Sequence, residues 1–114
     1  MVHNNYAWIL ELLHFPFKQV KKKMKHAHYF GFSTNLNTPN VSAYLKHLED
    51  FVSNKTGKKY LARVNYKGQH TDAIVVLEES TRLMVVTKGS GEFITAYKMS
   101  VEQVTQLLND KFIW

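Results

Sequence analysis

Apolar residues recur at helical spacing in the first half of the chain and at alternating positions in the second half. The helical spacing predicts one short helix that ends near His14 and another that begins at Pro16 and ends near Gly31. A third helix is predicted after Thr38-Pro39, which supply a cap and a first-turn proline. The apolar residues of this third helix share one face: Val41, Tyr44, Leu45, Leu48, Phe51 and Val52.

Beyond Gly57 the period becomes strand-like. Four strands are predicted, at residues 60–66, 72–77, 83–87 and 93–99. The segments between them have hairpin length, which indicates an antiparallel meander. Ser100 then caps a last helix, with Gln103 at the capping-box position. This order predicts an α+β domain: N-terminal helices pack on a four-stranded antiparallel meander sheet, a C-terminal helix closes it, and the other face stays partly open.

Composition narrows the function classes. A chain of 114 residues builds one domain, and its net charge of +6 favours a negatively charged partner: nucleic acid, an anionic membrane surface or an acidic protein. The absence of cysteine excludes disulfides, thiolate zinc sites and cysteine nucleophiles. No apolar run approaches the ~18 residues that span a bilayer, and the N-terminal AWILELLHF lacks the features of a signal peptide. We therefore expect no membrane-spanning segment or anchor in this domain, and action in the cytoplasm.

The stretch KKKMKHAHYFGF, at residues 21–32, concentrates lysine and histidine. On a helix, Lys22 and Lys23 share the side of His26, and Lys25 flanks it at about 100°. Like charges disfavour the cationic imidazole, which suits a base near neutral pH, and lysines at this density suit a phosphate. A solvated basic helix face with an incidental histidine stays open as the simpler interpretation. We expect His28 to be structural or partly buried.

Metal binding is not predicted. His26 and His28 lie about 200° apart on a helix, which is poor geometry for one shared ion. The remaining histidines are scattered among different elements: His3, His14, His47 and His70. No clustered carboxylates accompany them, so we expect no metal and no cofactor.

The segment GEFITAYKM, at residues 91–99, is the second informative place. Strand alternation puts Ile94 and Ala96 on one face, with Phe93, Thr95 and Tyr97 on the other. A hydroxyl and two aromatic rings in a row are typical of a surface that stacks on bases and contacts phosphate. Ordinary cross-strand pairing on a half-exposed sheet explains the same pattern, so both interpretations stay open.

These two places together resemble a known family. The segment 23–27, KMKHA, followed by Phe30-Gly31, resembles the K-x-K-H-A…F-G signature of the colicin D type nuclease domain. The segment 91–98, GEFITAYK, is similar to that family's G-E-F-x-S-G-W-K strand. The resemblance extends over residues 19–99. It implies a fold of the barnase/EndoU/colicin/RelE-like group and a bacterial toxin, a metal-independent ribonuclease that cuts tRNA in the anticodon loop.

The resemblance also implies roles for single residues. His26 corresponds to the catalytic histidine, and Lys23 and Lys25 to the lysines around the scissile phosphate. Thr95 stands where the family has serine and Tyr97 where it has tryptophan, so a hydroxyl and an aromatic surface are kept. We expect additional substrate-binding charge from Lys21, Lys22 and Lys98.

Further expectations concern the partners and the whole toxin. A nuclease of this class implies a cognate acidic immunity protein that covers the basic site, and delivery of the toxin into the cytoplasm of a target cell. We expect a monomer that is the nuclease end of a larger toxin. Its parts would be an N-terminal helix outside the recognised pattern (1–15), the core (16–99) and a C-terminal helix (100–114). A non-catalytic RNA- or protein-binding module, and a ribonuclease that cuts tRNA elsewhere, remain alternatives.

Overall fold

The computed structural model describes residues 13–54 and 56–112. In chain order the elements are α1 (Phe17–Lys22), a 3₁₀ helix (Met24–Phe30), α2 (Thr38–Ser53), β1 (Lys58–Tyr66), β2 (Gln69–Glu78), β3 (Leu83–Lys88), β4 (Phe93–Lys98) and α3 (Val101–Asp110). The strands pair antiparallel in sequence order, so the predicted α+β meander is confirmed. The helix predicted to end near His14 lies, up to residue 12, outside the described residues.

The helix predicted to run from Pro16 towards Gly31 is divided. At Lys23 the backbone leaves α-helical geometry, and a 3₁₀ helix follows until Gly31 ends it in a left-handed conformation at φ 85°. The cause lies in the spacing of the apolar residues Met24, Ala27 and Phe30, all of them buried. A spacing of three residues matches the three-residue turn of a 3₁₀ helix, so tightening the helix buries all three on one line.

The capping residues follow the sequence closely, with one difference. Ser100 and Gln103 form the predicted capping box at the start of α3. At the start of α2 the cap is Asn37, whose side-chain oxygen accepts a hydrogen bond from the backbone N–H of Asn40 at 2.9 Å. The prediction of Thr38 as the cap is therefore wrong by one residue. Asn caps better than Thr, and Thr38 begins the helix itself.

Strand β4 contains a bulge that changes which side chains share a face. Val86 pairs with Thr95 but Thr87 pairs with Phe93, so Ile94 is an extra residue. As a result Phe93 joins Ala96 in the core beneath the N-terminal helices, whereas Ile94 belongs to the core on the opposite face. The predicted grouping of Ile94 with Ala96 is wrong, because simple alternation fails across an inserted residue.

The sheet carries a core on each face. Val76 and Val85 pack under α1, the 3₁₀ helix and α2. On the other face, Val86 and Ile94 belong to a second core that includes Leu107 of α3. α3 therefore packs on the face opposite the N-terminal helices, the face expected to stay partly open, because its apolar stripe needs a partner of its own. α3 contributes to the core of the second face, and a cleft lies along β4 at Ile94, Thr95 and Tyr97.

Candidate active site

A cleft of about 490 Å³ lies between the N-terminal helices and the tip of the β1–β2 hairpin. Strand β4 forms its floor with Ile94, Thr95 and Tyr97. The helical wall consists of residues from α1 and the 3₁₀ helix and the segment between them: Gln19, Lys22, Lys23, Lys25 and His26. The opposite wall, which we call the hairpin wall, consists of Asn65, Tyr66 and Lys67. The cleft thus joins three segments that are distant in sequence.

The helical wall is fixed to the floor by a hydrogen bond and by packing. The Gln19 side-chain amide donates to the carbonyl of Ile94 at 2.8 Å. The buried side chains of Met24 and Ala27 seat the 3₁₀ helix on the core. Because residues three apart lie on the same side of a 3₁₀ helix, His26 follows directly on Lys23 along the cleft edge.

His26 is part of this wall and is half-buried. Its ring stands edge-on to Tyr97, with ring centroids 5.6 Å apart, and stacks on Tyr29 at 6.1 Å. Burial lowers the pKa of His26, and the charges of Lys25 and Lys23 lower it further, with a smaller effect from His28. All these effects favour the neutral imidazole, the form that accepts a proton.

The bulge in β4 decides what the floor presents to the cleft. It places Thr95, which is 3% exposed, and the half-buried Tyr97 beside the apolar side chain of Ile94. The hydroxyl of Thr95 and the phenol ring of Tyr97 are thereby held on a buried strand and not on a mobile loop. Rigid support of this kind is what a site needs to bind a phosphate and a base in a fixed relation.

The charge of the cleft is one-sided. Its lining holds four lysines and, among the described residues, no aspartate or glutamate. The ion pairs of the described residues involve other cations: Lys46–Asp50, Lys58–Glu79, Arg63–Asp72 and Lys88–Glu92. The lysines of the cleft therefore keep an uncompensated positive charge next to a low-dielectric wall, which attracts a polyanion.

The structure brings most of the predicted site residues together. Lys22, Lys23, Lys25, His26, Thr95 and Tyr97 all line the cleft. Lys21 lines a neighbouring basic depression together with Lys22 and Lys25, so it lies next to the cleft but not in it. Lys98 is exposed at the end of β4 and lies opposite Leu83, outside the lining of the cleft. Of the predicted lysines, Lys98 alone lines neither the cleft nor the neighbouring depression.

Other placements differ from expectation or were not predicted. His28 is exposed, with Nδ1 3.0 Å from the carbonyl oxygen of Lys25, so the expectation of a partly buried side chain is wrong. Gln19 and the hairpin wall were not predicted. The Lys67-Gly68 turn was visible in the sequence, but nothing in the strand periodicity indicates that this turn lies opposite His26.

Two further observations concern the described residues as a whole. Within residues 13–54 and 56–112, no three histidine, aspartate or glutamate side chains lie close enough together to hold a metal ion. No helix in that part of the chain is long and apolar enough to cross a membrane.

Comparison with known proteins places the chain in a family. The sequence profile of the Colicin D family matches residues 19–107. The chain belongs to the colicin D family. The colicin D match includes both motifs noted above and most of α3. Comparison with curated protein sequences gives no match.

A solved structure agrees with this assignment to the colicin D family. It is a ribonuclease from Escherichia coli in complex with its inhibitor protein, and it superposes with a TM-score of 0.64 at 26% sequence identity. The similarity covers 79% of this chain and 95% of that one. Nearly the whole of that ribonuclease chain therefore has a counterpart within the present fold.

Proposed function

We propose that this chain is the nuclease domain of a bacterial toxin, an endoribonuclease that cleaves tRNA in the anticodon loop without a metal ion. Membership of the colicin D family and similarity to a ribonuclease support the class. The observation that carries the proposal is the position of His26. It lies in a basic cleft beside Lys23 and Lys25, faces Tyr97, and has a pKa below the usual histidine value.

The proposed reaction is a transphosphorylation. Neutral His26 takes the proton of a ribose 2′-hydroxyl, and the 2′-oxygen attacks the adjacent phosphorus. The bond from phosphorus to the 5′-oxygen breaks, which leaves a 2′,3′-cyclic phosphate on one product and a 5′-oxygen on the other. Because burial and the nearby lysines lower its pKa, the His26 imidazolium is a stronger acid than an ordinary one, and we assign it the protonation of that leaving oxygen.

The remaining residues of the cleft have supporting roles in this proposal. Lys23 and Lys25 stabilise the charge that develops on the non-bridging phosphate oxygens, an effect that is strongest in a site with little water. The Thr95 hydroxyl donates to one of these oxygens. The ring of Tyr97 stacks on a base next to the cut, and Lys21 and Lys22 bind phosphates outside the reacting centre.

We also propose an acidic immunity protein as the natural inhibitor. The solved ribonuclease is bound to its own inhibitor protein, and the uncompensated lysines of the present cleft would pair with carboxylates as they would with phosphates. The toxin would then be delivered to a target cell and act in its cytoplasm as a monomer. A His26→Ala chain, which is not expected to cut RNA, should release bound labelled tRNA on addition of such an inhibitor.

A non-catalytic RNA-binding module is the second candidate, because exposed lysines around a cleft bind phosphates without any chemistry. The experiment that separates the two is incubation of total tRNA with the purified chain in the presence of EDTA. Cleavage supports the nuclease, and binding without cuts supports the module. Primer extension on the cleaved tRNAs then identifies the phosphodiester: cuts confined to the acceptor stem would refute the anticodon-loop assignment alone.

A further inference from the structure

We propose that the hairpin wall is a second phosphate-binding subsite, in which Lys67 contacts a phosphate of the RNA strand next to the one that is cut. This inference rests on the proposed function, because it takes single-stranded RNA as the occupant of the cleft. It concerns residues outside both sequence motifs. Its basis is the conformation, the support and the charge of the turn that carries Lys67.

The turn has a fixed conformation. Lys67 and Gly68 join β1 to β2 directly, and both have positive φ, 53° and 80°. Tyr66 pairs with Gln69 on either side of them. Two consecutive residues with positive φ are typical of a type I′ hairpin turn, whose twist matches that of the strands it joins. The position of Lys67 at the cleft is therefore set by the register of the hairpin.

Tyr66 attaches the hairpin to the core. Its ring is half-buried and packs against the second core cluster, as does Tyr97 on the floor of the cleft. The Nζ atom of Lys67 lies 5.3 Å from the centre of the Tyr66 ring, within the range of a cation–π contact. The Tyr66 ring thus supports the Lys67 ammonium. That ring packs against the same core cluster as Tyr97 on the floor of the cleft.

The charge of Lys67 is uncompensated. Lys88 also lies over the Tyr66 ring, at 5.5 Å, but its ammonium is 3.6 Å from a carboxylate oxygen of Glu92. Within the described part of the chain Lys67 takes part in no such ion pair, and no acidic side chain lines the cleft. Of the two cations, Lys67 is the one that lines the cleft.

Two walls that carry lysines on either side of one cleft fit an RNA strand better than an isolated phosphate. Successive phosphates of one strand are repeated charges at short intervals, so a strand seated with its scissile phosphate at Lys23 and Lys25 brings a neighbouring phosphate to the other wall. A volume of about 490 Å³ is that of a small-ligand site, which suits single-stranded nucleotides. Lys67 would then position the strand without entering the chemistry.

The test measures binding apart from cleavage. In a His26→Ala chain, which is not expected to cut RNA, Lys67→Asn removes the charge, and Asn tolerates positive φ, so the turn is kept. The probe is a fluorescein-labelled single-stranded RNA of mixed sequence, titrated at salt concentrations from 50 to 200 mM. Loss of one phosphate contact makes the slope of log K against log salt less steep by about 0.7. Between 50 and 200 mM salt, the factor by which affinity falls should therefore be about 2.6 times smaller in Lys67→Asn than in the parent chain.

Matched variants make the result specific. Lys46→Asn removes an exposed lysine of α2 that is already paired with Asp50, and it should leave the slope unchanged. Lys67→Arg should retain the slope of the parent. An unchanged slope in Lys67→Asn, or an equal change in Lys46→Asn, would overturn the inference.

The proposed function is tested separately in the chain with His26 intact. There Lys67→Asn should raise KM several-fold and leave kcat within about twofold, because a positioning contact acts equally on the ground state and the transition state. A large loss of kcat would contradict the positioning role. If the unmodified chain cut no RNA at all, the proposed function would fail, while the binding slopes would still decide whether Lys67 contacts a phosphate.

Discussion

Replacement of Tyr44 by phenylalanine should stabilise the protein. Tyr44 lies in α2 and is completely buried, with its ring centroid 5.8 Å from that of Phe30 and 5.5 Å from that of Phe32. Its hydroxyl oxygen is buried without a hydrogen-bond partner among the described residues. Burial accordingly raises the pKa of the phenol. In the unfolded chain the same hydroxyl is hydrated, so folding removes its hydrogen bonds to water and no residue of 13–54 or 56–112 replaces them.

The magnitude follows from these contacts. An unsatisfied buried hydroxyl costs about 1–3 kcal/mol, and Tyr44→Phe removes that cost. The ring and its contacts with Phe30 and Phe32 are retained, so the packing energy hardly changes. We therefore expect a gain of about 1–2 kcal/mol, or an increase in Tm of about 4–8 °C at about 4 °C per kcal/mol for a domain of this size. Tyr44→Ala, which also deletes the ring, should instead lose about 3–5 kcal/mol.

The assay is urea unfolding followed by circular dichroism, with the midpoint and the m-value fitted together. Tyr29→Phe is the matched control, because the Tyr29 side chain is 42% exposed and its hydroxyl should contribute less than about 0.5 kcal/mol. RNA cleavage should be unchanged in Tyr44→Phe, since Tyr44 does not line the cleft. A loss of more than 1 kcal/mol would show that the hydroxyl has a partner and would refute the reasoning.

Three further predictions concern the elements that hold the site. Gly31→Ala should lower the free energy of unfolding by about 1–2 kcal/mol, because alanine is strained at a φ of 85°. No described atom lies within 4 Å of an added Cβ, so backbone strain is the sole cause, and Gly31→Asn should lower the free energy less in the same urea titration. Lys25→Gln should raise the pKa of His26 by removing a nearby positive charge, so the acidic limb of kcat/KM moves to higher pH; an NMR titration of His26 that moves the other way would contradict this. Ser100→Ala should lower the free energy of unfolding by about 0.5–2 kcal/mol, because it removes the capping box of α3. An unchanged Tm in thermal unfolding would refute that role.

Local signals in the sequence were sufficient for most of the fold. The meander followed from strand-like periods separated by turns, and the capping box at Ser100 and Gln103 marked the start of α3 correctly. Two of the errors arose where the number of residues deviates from the regular helix or strand period. Lys23 interrupts a helix that looked continuous, and the bulge at Ile94 shifts alternation in β4 by one residue. The helix break and the bulge both depend on how the side chains pack in the core. That packing involves residues distant in sequence, so a short segment of sequence does not reveal it.

The candidate site divides in the same way. Most of the helical wall and of the floor could be predicted, because Lys23, Lys25 and His26 stand in one motif and Thr95 with Tyr97 in another; Gln19 and Ile94 were the exceptions. The hairpin wall was not, because Lys67 comes to the cleft through the packing of a hairpin and not through any local pattern. Its distance in sequence from both motifs is what concealed it.

The central claim is that His26 carries out metal-independent cleavage of RNA, and the direct test is the rate of tRNA cleavage in EDTA with analysis of the product ends. His28→Ala is the matched control, because His28 is exposed and lies outside the cleft. We predict 2′,3′-cyclic phosphate and 5′-hydroxyl ends, a rate about 10²–10⁴-fold lower in His26→Ala, and a rate within a few-fold of the parent in His28→Ala. Undiminished cleavage by His26→Ala, or products with 3′-hydroxyl ends, would contradict the claim.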